Sequence, residues 1–464
     1  MKTKKTLFAA LVAILIPLSM SGQAVNSSYF IDNSLQRVRL NPAFSPDASV
    51  GYFGLILGTG LDFKSNLGID DFLFNKDGQL YTYLNKNVTV EEFAERFKTD
   101  PNLNFNLNEQ LLGLGFRIGM LYITAGLDVR ADLDLNLPKD LLLLTKQGMA
   151  TTDQVYDFSG FAVKEASFLE GHVGASIDLS GIIPGLSIGG RAKYLLAANY
   201  AGANMSEGTL RMSEDKWMIK TDAKAIVAMK GIAIDKNGIS FPNGMSGIGF
   251  CGSGLLLDFG AEWKLNLELG ALTGINASFS MRDIGKCTIM DRYTTVYKSG
   301  AEAEFDGLKG IKPGEDFSTN FDNVIQDFKA VLNVEKTDEH EAVEFNFTPT
   351  ILAGLEVTMF DNHLSTGFLY SRVNGFDELQ IIESAKLGRL NAAVSYSMLN
   401  AKRLGFYLGY TPRRKGFNIY LASDGLPTRY TPKYDLVGLP LPLGKLNANV
   451  RFGVNLCFET RDRK

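Results

Sequence analysis

Cysteine is scarce in this sequence and odd in number: Cys251, Cys287 and Cys457 are the only three in 464 residues. A small secreted fold held together by disulfides is thereby excluded. Histidine is equally sparse, with His172, His340 and His363 far apart, and no paired-cysteine metal spacing occurs. Beyond the first residues there is no uninterrupted run of about 18 apolar side chains, so no helix of this chain is built to cross a bilayer. Positive charge is not in excess either. The formal net charge is −4, which disfavours a nucleic-acid partner.

The N-terminus carries Lys2, Lys4 and Lys5, then an apolar stretch from Leu7 to Leu18, then the small residues Ser19 to Gly22. This order predicts a secretory signal peptide over residues 1–22. Behind it the dominant signal is alternation. Leu121, Ile123, Ala125, Leu127, Val129, Ala131, Leu133, Leu135 and Leu137 alternate with residues that include Thr124, Asp128, Arg130, Asp132 and Asp134. A period of two means a strand. The run also exceeds the roughly nine to eleven residues that cross a membrane at a tilt.

The same template recurs over 255–267 and 446–458, and less purely near 51–63, 111–119, 167–180, 186–200, 275–285, 343–358, 364–373, 379–387, 389–398, 403–411 and 416–423. Short connections alternate with long ones at 64–110, 138–166, 201–252 and 286–342. An even number of long strands without helical spans predicts an all-β fold: a closed antiparallel transmembrane β-barrel of about 14 strands with long outer loops. The expected layout is a periplasmic N-terminal segment or hatch over 23–49, the barrel over 50–458 and a periplasmic tail over 459–464. Two loops carry helical signals. Thr89 to Glu92 reads as a capping box, and Phe321, Val324, Ile325, Phe328 and Leu332 form one apolar helix face. Outward aromatics are expected in two girdles, the outer one from Phe63, Phe168, Tyr200, Phe345, Tyr370 and Tyr396, the periplasmic one from Phe53, Tyr410, Phe417 and Phe458.

If apolar positions face lipid, the alternate positions face the lumen. That assignment makes Asp128, Arg130, Asp132, Asp134, Arg191, Lys193, Asp258, Glu262, Lys264 and Arg282 candidate lumen-lining residues, either paired across strands or lining a path. His172 shares the inward face with Ser176 and Asp178, and with Asn199 on the next strand, the one arrangement that resembles hydrolytic chemistry. The chain is read as a non-enzyme without a cofactor. Cys251 and Cys287, near the outer ends of adjacent strands, are a candidate disulfide.

The segment Arg39-Leu40-Asn41-Pro42-Ala43-Phe44, just before the first strand, resembles the Asn-Pro-Ala motif of Bacteroidota outer-membrane barrels. Asn41, Pro42 and Ala43 are therefore the candidate hatch motif. Leu257 to Leu265, Ser278 to Gly285 and Phe417 to Gly425 resemble central and penultimate strands of the same group. Over nearly all of its mature length the chain resembles a barrel family of unknown function, distantly related to the long-chain fatty-acid transporter and to PorV-like barrels. The resemblance implies residence in the outer membrane and passive transport of a small hydrophobic or amphipathic compound. The alternative is a structural or secretion-partner barrel that docks another envelope protein and passes no solute. Expected partners are outer-membrane lipid, the barrel assembly machinery and one of those two, a small hydrophobic ligand or an envelope protein.

Overall fold

The computed structural model describes residues 25–32, 34–46, 50–55, 59–147, 153–213, 217–231, 233–235, 238–240, 249–305, 334–399, 402–412, 415–431 and 442–459. The predicted leader, the predicted helix at 321–332 and the tail beyond 459 lie outside them.

Fourteen strands close into one antiparallel barrel. They are β1 (Val50–Leu55 and Thr59–Gly68), β2 (Asn102–Ile118), β3 (Leu121–Asn136), β4 (Ala162–Asp178), β5 (Leu186–Met212), β6 (Gly252–Leu269) and β7 (Leu272–Ile289). They continue as β8 (Val343–Asn346 and Thr350–Met359), β9 (Leu364–Val373), β10 (Phe376–Leu387), β11 (Leu390–Ser397), β12 (Arg403–Tyr410), β13 (Gly416–Pro427) and β14 (Lys445–Glu459). Each pairs with its successor, and β14 returns to β1 with Val50 opposite Glu459 and Thr59 opposite Phe452. Closure leaves no unpaired edge.

Alternation accounts for the wall. In β6, Leu255, Leu257, Phe259, Trp263 and Leu265 are exposed on the outside, while Leu256, Asp258 and Glu262 are buried inside. Phe417, Ile419 and Leu421 of β13 and Val450, Phe452 and Leu456 of β14 continue the exposed apolar band. Among the described residues no helix is long and apolar enough to cross a membrane. Connections at one rim are short, as at Gly119-Met120 and Gly270-Ala271, and the long ones lie at the other rim, which also holds the two-residue turn Asn374-Gly375.

The long-loop rim is more structured than the sequence suggests. β5 runs for 27 residues, so its outer half stands beyond the barrel and pairs with a strand at Trp217–Met229, which pairs in turn with Thr294–Phe305. Both lie in stretches read from sequence as loops. Small residues there, such as Ala201, Gly202, Ala203, Ala223 and Ala225, carry too little hydrophobic contrast to reveal a period of two.

The capping box forms as expected. The Thr89 hydroxyl accepts the Glu92 amide hydrogen at 3.2 Å, and the Glu92 carboxylate accepts from the Thr89 amide at 2.8 Å, at the head of helix Val90–Ala94. A second helix, Lys139–Gln147, was not expected; its Leu142 and Leu143 pack against the cluster of Phe74, Phe93 and Phe97.

The outer aromatic girdle needs correction. Phe168, Tyr200 and Phe345 are buried together with Phe347. Phe168 keeps the inward parity of His172 and Ser176 along β4, whereas Tyr200 is turned inward by an extra residue, Ala198 of β5, where the ladder passes from Ser167–Asn199 to Phe168–Ala197. One extra residue in a strand turns every later side chain to the opposite face.

Candidate functional site

The lumen is filled by the chain's own N-terminal segment. Residues 25–32 and 34–46 lie inside the wall, with a short helix at Arg37–Leu40 and nearly every side chain buried. Asn41 is the anchor. Its amide donates to the carbonyls of Ala261 on β6 and Phe279 on β7, at 3.2 and 3.1 Å, while its side-chain oxygen accepts the Ala43 amide hydrogen at 2.9 Å. The Ala43 carbonyl in turn accepts from Ser176 of β4 at 2.9 Å. This approach needs a bare strand surface, because a Cβ on Gly260 would stand 2.0 Å from Asn41 Oδ1 and 2.9 Å from Pro42 Cδ. Gly367 plays the same part on β9, where a Cβ would meet the Phe30 ring at 2.3 Å.

The inner wall divides into two chemistries. Val25, Tyr29, Phe30, Ile31, Leu40 and Phe44 of the plug pack on Leu352, Leu369, Ile382, Ala393, Tyr407 and Tyr420 of β8 to β13. Those wall positions face inward although they are apolar or aromatic, so lumen-facing does not mean polar on this side. Burying a Phe- or Leu-sized side chain contributes about 2 kcal/mol, which makes this half the adhesive one.

The opposite half, β2 to β7, holds ionised groups in a closed network. Arg37 of the plug reaches Glu262 at 2.7 Å and also Asp32. Lys264 meets Asp32 at 3.1 Å and Glu262 at 3.5 Å. Arg39 of the plug binds Asp128 at 2.9 Å. Arg191 lies 3.4 Å from Asp258 and donates to the Val38 carbonyl at 2.7 Å, and Arg282 donates to the Arg39 carbonyl at 2.8 Å. Lys193 bridges Asp258 at 2.9 Å and Asp283 at 2.7 Å. Arg130 bridges Asp132 at 2.7 Å and Asp283 at 3.2 Å. Asp134 lies nearer the rim, half-buried, and accepts from Asn104. Asp258 is 0 % exposed, and a carboxylate so buried is tolerable only with its oxygens paired.

Asp283 was invisible to strict alternation, and the plug's own Arg37 and Arg39 lie outside any strand, whereas Glu170 shares the inward parity of His172. Asp283 is inward because the β6–β7 register slips between Leu257 and Phe259, and the residue adopts a φ of 61°. The bulge turns Arg282 and Asp283 into the lumen together. An aspartate followed two residues later by Gly285 was the available signal, since Asp and Gly tolerate left-handed backbone at bulges.

Above the plug the network surrounds a small cavity of about 40 Å³, lined by Arg39, Asp128, Arg130, Glu170, His172 and Lys193 among others. The rings of Phe168, Phe345 and Phe347 cluster nearby, with the Arg130 guanidinium 4.6 Å from the Phe347 ring centre.

Two readings of chemistry fail here. His172, Ser176 and Asp178 do not assemble a hydrolytic site: Ser176 donates to the Ala43 carbonyl, and Asp178 is exposed and accepts from Ser180. The candidate disulfide is also absent. All three cysteines are free, and the register explains why: Cys287 faces Gly254 across the ladder, three positions from Cys251, whose carbonyl bonds to Met290. Cysteines that are not opposite one another cannot bridge without backbone movement. Unreduced and reduced protein should give identical intact masses, and all three thiols should react with a maleimide after unfolding; a mass difference between the two samples contradicts this register.

Comparison with known proteins places the chain as follows. A family profile described as "Family of unknown function (DUF5723)" matches residues 42–424. Comparison with curated proteins finds no match. Among solved structures, the Pseudomonas putida toluene transporter TodX is 12% identical, with 94% of this chain and 95% of that chain covered and a TM-score of 0.39. A Pseudomonas aeruginosa FadL homologue is 10% identical, with 95% and 99% covered and a TM-score of 0.35. The translocator domain of the autotransporter NalP from Neisseria meningitidis is 10% identical, with 89% and 90% covered and a TM-score of 0.31.

Proposed function

The chain belongs to the DUF5723 family, and we propose that it is an outer-membrane barrel through which a small amphipathic compound passes when the N-terminal plug is displaced. The membrane reading rests on the exposed apolar band of β6, β13 and β14, since a closed barrel with an oily exterior is the sheet solution to spanning hydrocarbon. With the short-turn rim on the periplasmic side, both termini are periplasmic.

The single observation that carries passage is the divided inner wall. Once the plug leaves, a solute meets an apolar surface on β8 to β13 and a charged one on β2 to β7, the pairing that suits a molecule with a hydrophobic body and a polar head. The mode is passive flow down a gradient. Reconstitution in planar bilayers and in liposomes tests this, with ion conductance and fatty-acid uptake compared against protein-free controls. Silence in both assays from a barrel whose plug has been dislodged retires the reading.

The filled lumen favours a second reading, a barrel that docks an envelope protein on the sheet formed by the outer half of β5 and its neighbours and passes nothing. Stable co-purification of one partner, together with silence in both transport assays, decides for it.

Acid should open the gate only at a pH below the usual carboxylate range. Burial favours the neutral Asp32 carboxyl, but Lys264 and Arg37 outweigh it and hold the group below its ordinary value. A lowered folded value means that the tether is intact above the ordinary pKa of ~3.9 and is lost as pH falls through the lower folded value. Lys264→Met removes one of the two cations, so its tether should fail nearer pH ~4. Conductance recorded at stepped pH checks the order, and opening of both proteins at the same pH refutes it.

A further inference from the structure

We propose that Asp128, Glu170 and His172 form a binding site for one divalent transition-metal ion of the zinc class on the inner wall of the barrel. The strand register brings the three together. Asp128 of β3 stands opposite Glu170 of β4, and His172 stands two residues further, opposite Gly126. Direct and diagonal neighbours across an antiparallel ladder share one face, so all three point inward. One ligand atom from each lies within 4.8 Å of the other two. Gly126 makes the room, because a Cβ there would stand 2.4 Å from His172 Cε1.

The second observation is that these atoms lack hydrogen-bond partners. Asp128 Oδ1, Glu170 Oε2 and His172 Nδ1 are all buried without one, on side chains 3%, 4% and 8% exposed. Buried and unsatisfied, each costs about 1–3 kcal/mol, and three on one patch of wall call for a common partner. The neighbouring cations do not supply it. Arg39 holds the other Asp128 oxygen, at 2.9 Å. Arg130 lies 3.9 Å from Glu170 and is engaged by Asp132 and Asp283. Lys193 is taken by Asp258 and Asp283.

Size and donor chemistry narrow the occupant. A cavity of about 40 Å³ holds an ion with a few waters and excludes an organic solute. Two carboxylates and an imidazole suit zinc-class ions, whereas calcium takes six to eight oxygens and magnesium keeps its water shell. Bound water completes the coordination. Asp128 is then shared between the ion and the plug's Arg39, so the two positive charges compete for it. The assignment does not depend on whether any solute passes the barrel.

The test uses the tag-free full chain in detergent, stripped with a chelator and titrated with Co²⁺, with visible absorption as the signal and Zn²⁺ as competitor. The expected result is one Co²⁺ per chain, displaced by Zn²⁺. His172→Gln and Asp128→Asn should each weaken binding at least ~10-fold, the smallest loss typical even of a ligand's supporting partners, while the double variant His340→Gln and His363→Gln should bind as the parent does. Arg39→Gln keeps all three ligands and removes the competing charge, so it should bind Co²⁺ more tightly. Absence of saturable Co²⁺ absorption in the parent overturns the site, as does parental affinity in both His172→Gln and Asp128→Asn. Unchanged or weaker binding in Arg39→Gln removes Asp128 from the ligand set.

Discussion

A Gly260→Val barrel in planar bilayers should pass current where the parent protein stays closed. The valine Cβ falls 2.0 Å from Asn41 Oδ1 and 2.9 Å from Pro42 Cδ, so the segment must lift off β6 and lose both bonds from the Asn41 amide. At about 1 kcal/mol per hydrogen bond, with tenfold for each ~1.4 kcal/mol, those bonds alone shift the open-to-closed ratio ~30-fold, and the clash adds to it. Valine is otherwise a good strand residue, so the wall should survive. Asn41→Ala should show the bond loss without the clash. Gly171→Val is the matched control, because a Cβ there meets nothing within 4 Å. If the Gly260 variant is as silent as the control, the plug is not the barrier.

Asp283→Asn should destabilise the barrel by ~3–5 kcal/mol, the usual loss when one member of a buried ion network is neutralised. Asparagine is nearly isosteric and accepts the positive φ of 61°, so the loss is electrostatic. Arg130 and Lys193 both lean on this carboxylate, at 3.2 and 2.7 Å, and neutralising it leaves a surplus of buried positive charge. Adding Lys193→Met should recover much of the loss. Denaturant unfolding in detergent, followed by the fluorescence of Trp217 and Trp263, measures both. A single variant within about 0.5 kcal/mol of the parent would mean that water reaches the network and screens it.

The wall was legible and its contents were not. Alternation exposes a strand whenever one face is oily, as in β3 and β6, and that contrast gave the all-β class, the approximate strand number and the inward side of Asp128, Arg191 and Asp258. It fails where a ladder slips by one residue. Tyr200 and Asp283 each sit beside such a slip, and each lies on the face opposite to the expected one. Alternation also cannot report what a lumen holds. Leu352, Leu369 and Tyr407 are buried inward because Tyr29, Phe30 and Phe44 lie against them, a relation between residues hundreds of positions apart. The Asn41-Pro42-Ala43 motif pointed to a hatch, yet the glycines that receive it carry no side chain for a pattern to register.

The ring of staves is joined where β14 meets β1, so its first and last members come from opposite ends of the polypeptide. It can shut only once β14 has been made, long after the stretch leading into β1. The tenant is therefore on hand before the room is finished. Assembly and gating draw on the same contacts, and a change that loosens residues 25–46 should slow the birth of the barrel as well as ease its opening.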